Sequence, residues 1–263
     1  MLVSPTQKEA CLGRQANMIL QTGRTEHAVA SVERDLKVLG QARRYYDWIL
    51  AILRPWIGRT VLECGAGSGH MTRRLLALNG PRVIASEVEA SYLPELEVLC
   101  RPPQSGVVRL DLEALTPEAL ELIRSLDVDT ILMVNVLEHV ADDADSITRL
   151  AEVLPSGGRI LIMVPAHRRL YSQLDHLYGH HRRYSREDVR HLATMAGMRI
   201  RLLQSMNLPG AIAWWLLHRV IGRTSLTPAG TRIFDLCVPM IAAVERRMRP
   251  PFGQSLVAVL ERP

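Results

Sequence analysis

Apolar residues recur with two different periods along this chain. Between positions 41 and 53, Tyr45, Trp48, Ile49 and Ile52 fall three or four residues apart, which predicts a helix that ends before Pro55. From position 60 the pattern changes to short apolar runs separated by amphipathic stretches. The runs predict strands at 60–64, 82–85, 106–110, 130–134 and 159–164. The intervening and following stretches predict helices over 71–78, 92–99, 117–125, 143–154 and 186–196. Strands alternating with helices of about ten residues imply right-handed crossovers and a parallel sheet covered on both faces. Two further strands, 198–203 and 255–260, bring the sheet to seven.

Between the last two strands the pattern breaks into an insertion, read as two apolar helices with Pro228-Ala229-Gly230 between them. Connections that long are unusual and often serve as lids. The chain thus divides into a helical N-terminal cap over 1–55, an α/β domain over 56–206 and 254–263, and a helical lid over 207–253. An open parallel sheet binds ligands beyond the carboxyl ends of its strands. Chemistry is therefore expected in the segments that follow each strand.

Composition narrows the class without naming it. Hydrophobic residues at 48% and charged residues at 22% are those of an ordinary globular protein. The net charge of +5 comes almost wholly from arginine, Lys8 and Lys37 being the lysines. These charges are scattered among acids with no run of five, so a nucleic-acid partner is not expected. Cys11, Cys64, Cys100 and Cys237 form no CxxC pair, which fits a reducing cytoplasm. The start lacks the pattern of a secretory signal, and no segment reaches the roughly 20 apolar residues of a membrane span. A cytoplasmic protein is expected.

The first strand runs into Gly65-Ala66-Gly67-Ser68-Gly69. A dinucleotide fingerprint would place its third glycine at position 70, which is His70, and a phosphate loop would need a lysine that is absent. What stands instead is ExGxGxG, with Glu63 at the strand end. A carboxylate there would repel a pyrophosphate but can hold an ammonium group by a charge-assisted hydrogen bond. Glu87, about 20 residues on, ends the second strand, where an acid can accept from ribose hydroxyls. Asp111 follows the third strand, Asn135 to Val140 (NVLEHV) the fourth, and Leu154-Pro155-Ser156-Gly157-Gly158 precedes the fifth.

Together these motifs resemble the class I, Rossmann-like, S-adenosylmethionine-dependent methyltransferases of the bacterial small-molecule type, over about 45–203. The resemblance implies a seven-stranded, mostly parallel Rossmann-like sheet with helices on both faces, and S-adenosyl-L-methionine as cofactor. It implies cofactor contacts at Tyr46, Glu63, Gly65, Ala66, Gly67, Gly69, Glu87, Val88, Asp111, Leu112, Asn135 and Val136. Glu63 and the glycines would take the methionine part, Glu87 the ribose, and Asp111 with its neighbour the adenine. Glu87 and Asp111 read equally well as turn or cap acids.

After the fifth strand, residues 165–192 resemble a segment found in bacterial relatives of this class. His167, Tyr171, Asp175, Arg183 and Tyr184 are its candidate substrate contacts, with Trp214 from the insertion. His139 and His180 are the candidate bases, since imidazole titrates near neutrality. The alternative is that Asp175, His180 and Arg183 tie the loop together. His167, Asp175 and His180 lack metal-ligand spacing, and displacement at a sulfonium needs no ion, so no metal is expected. Trp214, Trp215, Arg219 and Arg223 leave three readings of the insertion: core, lid or peripheral membrane contact. The expected function is methyl transfer to a small hydrophobic molecule. A lipid-linked or sugar acceptor at a membrane surface, or a cofactor-binding sensor or cyclase-like protein, are the alternatives. Oligomeric state stays open.

Overall fold

The computed structural model describes residues 34–35 and 38–263. Most of the cap expected over 1–55 therefore lies outside the described residues, as do Cys11, Lys8 and Lys37. Seven strands run β1 (Thr60–Cys64), β2 (Arg82–Glu87), β3 (Ser105–Arg109), β4 (Thr130–Val134), β5 (Arg159–Pro165), β6 (Arg199–Met206) and β7 (Ser255–Glu261). Helix α1 (Arg43–Leu53) precedes them. Between them lie α2 (His70–Leu76), α3 (Leu93–Leu99), α4 (Pro117–Ser125), α5 (Asp143–Val153), α6 (Gln173–Tyr178), α7 (Arg186–Met195), α8 (Leu208–Trp214) and α9 (Pro228–Met248).

The strands form one sheet in the order β3-β2-β1-β4-β5-β7-β6. All pairs are parallel except those of β7, which runs antiparallel to β5 and β6. All five residues of β1 are buried, as continuous apolar runs are when both faces of a parallel sheet are covered. Alternate residues then serve opposite cores. Leu62, Ile131 and Ile162 pack with Ile123 of α4, Leu150 of α5 and Leu192 of α7. Val61, Leu132 and Leu161 pack with Ile49 of α1, Leu75 of α2 and Ile241 of α9.

The insertion joins this second face. Helix α8 runs on into a π-helical turn, Trp215–Val220. Helix α9 does not follow Pro228-Ala229-Gly230 but begins with it. Pro228 occupies the first turn, where its missing N–H costs nothing, and Thr227 accepts a hydrogen bond from Gly230 N–H as N-cap. Two acids of α9 bind main-chain donors elsewhere. Asp235 accepts from Tyr45 N–H at 3.1 Å, with the Tyr45 and Phe234 rings edge to face at 5.5 Å. Glu245, buried, accepts from Asn207 N–H at 2.9 Å and Leu208 N–H at 2.7 Å. These bonds hold α9 to both α1 and the end of β6.

Glu245→Ala would strand those two N–H groups. A loss of about 1–3 kcal/mol is expected from the urea unfolding midpoint; an unchanged midpoint would show that water replaces the carboxylate without cost.

Candidate active site

Strand order reverses between β1 and β4, because the chain leaves β1 toward β2 and β4 toward β5. The loops after these strands diverge and open a crevice at the carboxyl edge of the sheet. In the first loop Gly65, Gly67 and Gly69 have φ of +66°, +51° and +76°, the left-handed region where a Cβ is strained. A Cβ on Gly65 would lie 2.6 Å from a methyl of Val136, and one on Gly69 2.5 Å from Leu99. At Gly67 nothing stands within 4 Å of that position. Packing requires the outer two glycines; the middle one borders open space. The second loop starts at Asn135, also left-handed at φ +55°, with its N–H donating to Met163 O at 2.9 Å.

A cavity of about 500 Å³ fills the crevice. Glu63, Gly65, Ala66 and Gly67 line it from the first loop, and Asn135, Glu138 and His139 from the second. His180 and Arg183 enter from the segment after α6. Tyr46 of α1 and Trp214 of α8 close it, together with Phe234 of α9 and His218 of the π-helical turn. Tyr46 is held by stacking on His70 at 5.6 Å and by the Arg74 guanidinium 5.2 Å from its ring centre.

The remaining expected cofactor residues stand off this cavity. Gly69 and Val136 pack behind its wall, while Glu87 ends β2, Val88 follows it, and Asp111 and Leu112 follow β3. Glu87 is linked to the loop, accepting from Gly67 N–H at 2.8 Å, Val88 N–H at 2.9 Å and Glu89 N–H at 3.0 Å. A carboxylate has about four acceptor positions, so three are occupied and one is left. Asp111, exposed, accepts from Glu113 N–H at 2.9 Å and so also serves a turn.

The expected substrate residues divide in the same way. Arg183 and Trp214 reach the cavity, with the guanidinium 4.7 Å from the indole ring centre. His167, Tyr171, Asp175 and Tyr184 do not reach it. Tyr184 is buried, and its hydroxyl donates to Asp143 at 2.7 Å and to Leu137 O at 3.0 Å, supporting the β4 loop from behind. Tyr171 donates to His180 O at 2.7 Å. His167 has a positive φ of 63°, with its ring against Phe252 at 6.1 Å. Asp175 accepts from Arg183 Nε at 2.7 Å, Ser172 N–H at 2.8 Å and Ser172 Oγ at 2.9 Å, and meets His180 Nδ1 at 3.1 Å.

Three buried carboxylates in this region titrate differently. Burial tends to raise Asp175, but the bonds from His180 and Arg183 bring it below the usual range. Burial pushes Glu63 up to about 8, outweighing the Thr72 hydroxyl that donates to it at 2.6 Å. Burial likewise pushes Glu138 up to about 8, and neither of its oxygens has a hydrogen-bond partner among the described residues. Glu138 is not among the site residues expected from the sequence. Its signals are its place in the NVLEHV motif and a carboxylate directly after the apolar pair Val136-Leu137 near a strand end.

The molecule has the Rossmann-like methyltransferase fold. It superposes on a chain from the complex of the Haloferax volcanii Trm112 methyltransferase activator with a methyltransferase, at TM-score 0.59 and 18% identity, over 91% of this chain and 99% of that one. It also superposes on phosphoethanolamine N-methyltransferase 2 of Haemonchus contortus in complex with S-adenosylmethionine, at TM-score 0.55 and 16% identity, over 82% and 52% of the two chains. At such identities the likeness is one of fold. The tRNA U34 carboxymethyltransferase of Shewanella amazonensis is 29% identical over 119 residues, 44% of this chain and 34% of that protein. The chain thus matches about a third of that relative's length. A family model described as a methyltransferase domain matches residues 38–203. The chain belongs to that family.

Glu63 yields a pH prediction. It ionises near 4.5 when unfolded and near 8 in the fold, so the fold holds an extra proton between these values. Its contribution to stability is whole below pH 4.5 and is lost as pH rises through 8. Glu63→Gln should therefore gain stability over the ligand-free wild type, and the gain should grow between those pH values in urea unfolding. A pH-independent difference would contradict the raised value.

Proposed function

We propose that this protein transfers the methyl group of S-adenosylmethionine to a small hydrophobic acceptor held in the cavity between the sheet edge and the inserted helices. The observation that carries this reading is the open space at Gly67, continuous with a cavity whose far wall is aromatic. Its volume of about 500 Å³ suits a small molecule. In this reading Glu63 and the main chain of Gly65, Ala66 and Gly67 take the methionine part, beside Asn135 and beneath Tyr46. Glu87 uses its remaining acceptor position for the ribose, and Val88, Asp111 and Leu112 flank the adenine. Residues 207–253 act as the lid.

The reaction is an in-line displacement. A lone pair on the acceptor attacks the methyl carbon, the carbon–sulfur bond breaks, and its electron pair stays on sulfur to give S-adenosylhomocysteine. The sulfonium is already activated, so the protein's part is alignment, exclusion of water and removal of the acceptor's proton. His139 and His180 stand on the acceptor side of the glycine loop. They take that proton directly, or act through an ion as argued below. Release of S-adenosylhomocysteine in step with acceptor methylation separates this reading from a sensor or a cyclase-like protein.

A second reading, a lipid-linked or sugar acceptor at a membrane surface, is favoured by the outer face of the insertion. Ile233, Leu236, Met240, Val244 and Met248 form a stripe along α9, each at least 49% exposed. Trp215, Val220 and Ile221 add to the exposed apolar surface, since Trp214 turns inward and Trp215 outward. Residues 207–253 hold six arginines and two acids, and both acids are taken up by the main-chain bonds described above. An apolar stripe edged by cations suits the surface of an anionic bilayer. Among the described residues no helix is long and apolar enough to cross one.

Two outcomes test these readings. Gly67→Val places a branched side chain in the open space, and should cut affinity for S-adenosylhomocysteine at least about tenfold, or 1.4 kcal/mol, while circular dichroism stays native. Undiminished affinity by calorimetry would refute the placement of the loop. Wild-type protein should sediment with phosphatidylglycerol vesicles and the Ile233→Asp, Met240→Asp double variant should not. If wild type stays in the supernatant, the membrane reading is dropped.

A further inference from the structure

Three side chains able to bind a metal converge where the loop after β4 meets the segment after α6. Glu138 and His139 belong to the short turn Leu137–His139, and His180 lies beyond α6. One ligand atom from each lies within 4.8 Å of the other two. His180 Nε2 is 3.9 Å from Glu138 Oε1, and the His139 and His180 rings meet edge to face with centroids 4.8 Å apart. Glu138 is the anomaly: it is 0% exposed, and both its oxygens lack a hydrogen-bond partner among the described residues. Buried carboxylates are ordinarily hydrogen-bonded, paired or bound to a metal.

The surroundings of His180 are already arranged. Its Nδ1 meets Asp175 Oδ1 at 3.1 Å, which turns Nε2 toward Glu138. A carboxylate on the far nitrogen fixes tautomer and ring orientation, and is the usual support of a metal-bound histidine. Asp175 is itself held by Arg183 and Ser172. His181 N–H donates to Glu138 O at 2.8 Å, joining the two segments that carry the cluster.

We infer that Glu138, His139 and His180 bind one divalent first-row transition ion of the Mn²⁺, Fe²⁺, Co²⁺ or Zn²⁺ kind. Two imidazoles and one carboxylate suit these ions, whereas Mg²⁺ and Ca²⁺ prefer oxygen alone. Metal bonds near 2.1 Å set neighbouring ligand atoms roughly 3.0–3.5 Å apart. Binding therefore draws the three groups together by about 1 Å. Three protein ligands leave coordination positions open on the cavity side. An acceptor oxygen bound there loses its proton to solvent more readily and attacks as the stronger nucleophile. That use of the ion rests on the proposed methyl transfer; its binding does not. The sequence expectation of no metal weighed His167, Asp175 and His180. His180 alone of those joins this cluster, because the carboxylate comes from a different strand end.

Protein stripped with EDTA and titrated with Co²⁺ should bind one ion per chain, by calorimetry and visible absorption. His180→Ala, His139→Ala and Glu138→Gln should each weaken binding at least about tenfold. His139 is exposed, so its variant should fold even where a variant of buried Glu138 does not. Absence of saturable Co²⁺ binding, or unchanged affinity in His139→Ala, would overturn the inference. S-adenosylhomocysteine titrated into the same stripped protein reports cofactor binding separately. Its failure alongside intact Co²⁺ binding would remove the methyl-transfer reading and leave the ion site standing.

Discussion

The parallel pairing of β1 with β4 sends the chain in opposite directions from two neighbouring strand ends, one crossover passing to β2 and the other to β5. The topology makes the two loops diverge beyond the point where Gly65 meets Val136. The glycine loop can then press Gly65 against Val136 and Gly69 against Leu99 while its middle residue faces the crevice. The turn after β4 brings Glu138 and His139 to the other side of the same opening. A change in strand order would scatter these groups whatever their identities.

Around that opening the protein keeps charge in a low-dielectric setting and satisfies it unevenly. Asp175 and Arg183 neutralise each other and carry hydrogen bonds from Ser172 and to Ala166 O, so their burial is supported. Glu63 has one hydroxyl donor, and Glu138 has no hydrogen-bond partner among the described residues. Such groups favour a positive partner, because binding one relieves the desolvation that holds them protonated. The proposed sulfonium nucleoside near Glu63 and the proposed metal ion near Glu138 would each supply such a partner. The paired ions nearby give these sites a fixed frame.

Much of the fold was legible in the sequence. Thr60–Cys64 and Thr130–Val134 appear with the predicted bounds, since apolar runs bounded by turns leave little choice of register. Helix α6 is too short, at six residues, to show a helical period, although Ser172 and Asp175 form a capping box that marks its start. The proline at 228 was read as a separator because sequence alone does not tell a break from a first turn. At the site, the loop residues were readable because glycines and strand-end acids have local causes. The tie of Asp175 to His180 and Arg183 was legible as one of two readings, its partners lying within eight residues; the role of Tyr184 was not, since Asp143 and Leu137 lie 41 and 47 positions away. The cluster of Glu138 with His180 is likewise set by tertiary contact, beyond any local spacing rule.

The most direct measurement is a crystal structure of the protein with S-adenosylhomocysteine. The expected density has the amino group within hydrogen-bonding distance of the Glu63 carboxylate, the chain of the ligand crossing Gly67, and its sulfur facing His139 and His180. Ligand density on any other face of the sheet, or an adenosine pointing into the aromatic cavity, would contradict the placement of donor and acceptor.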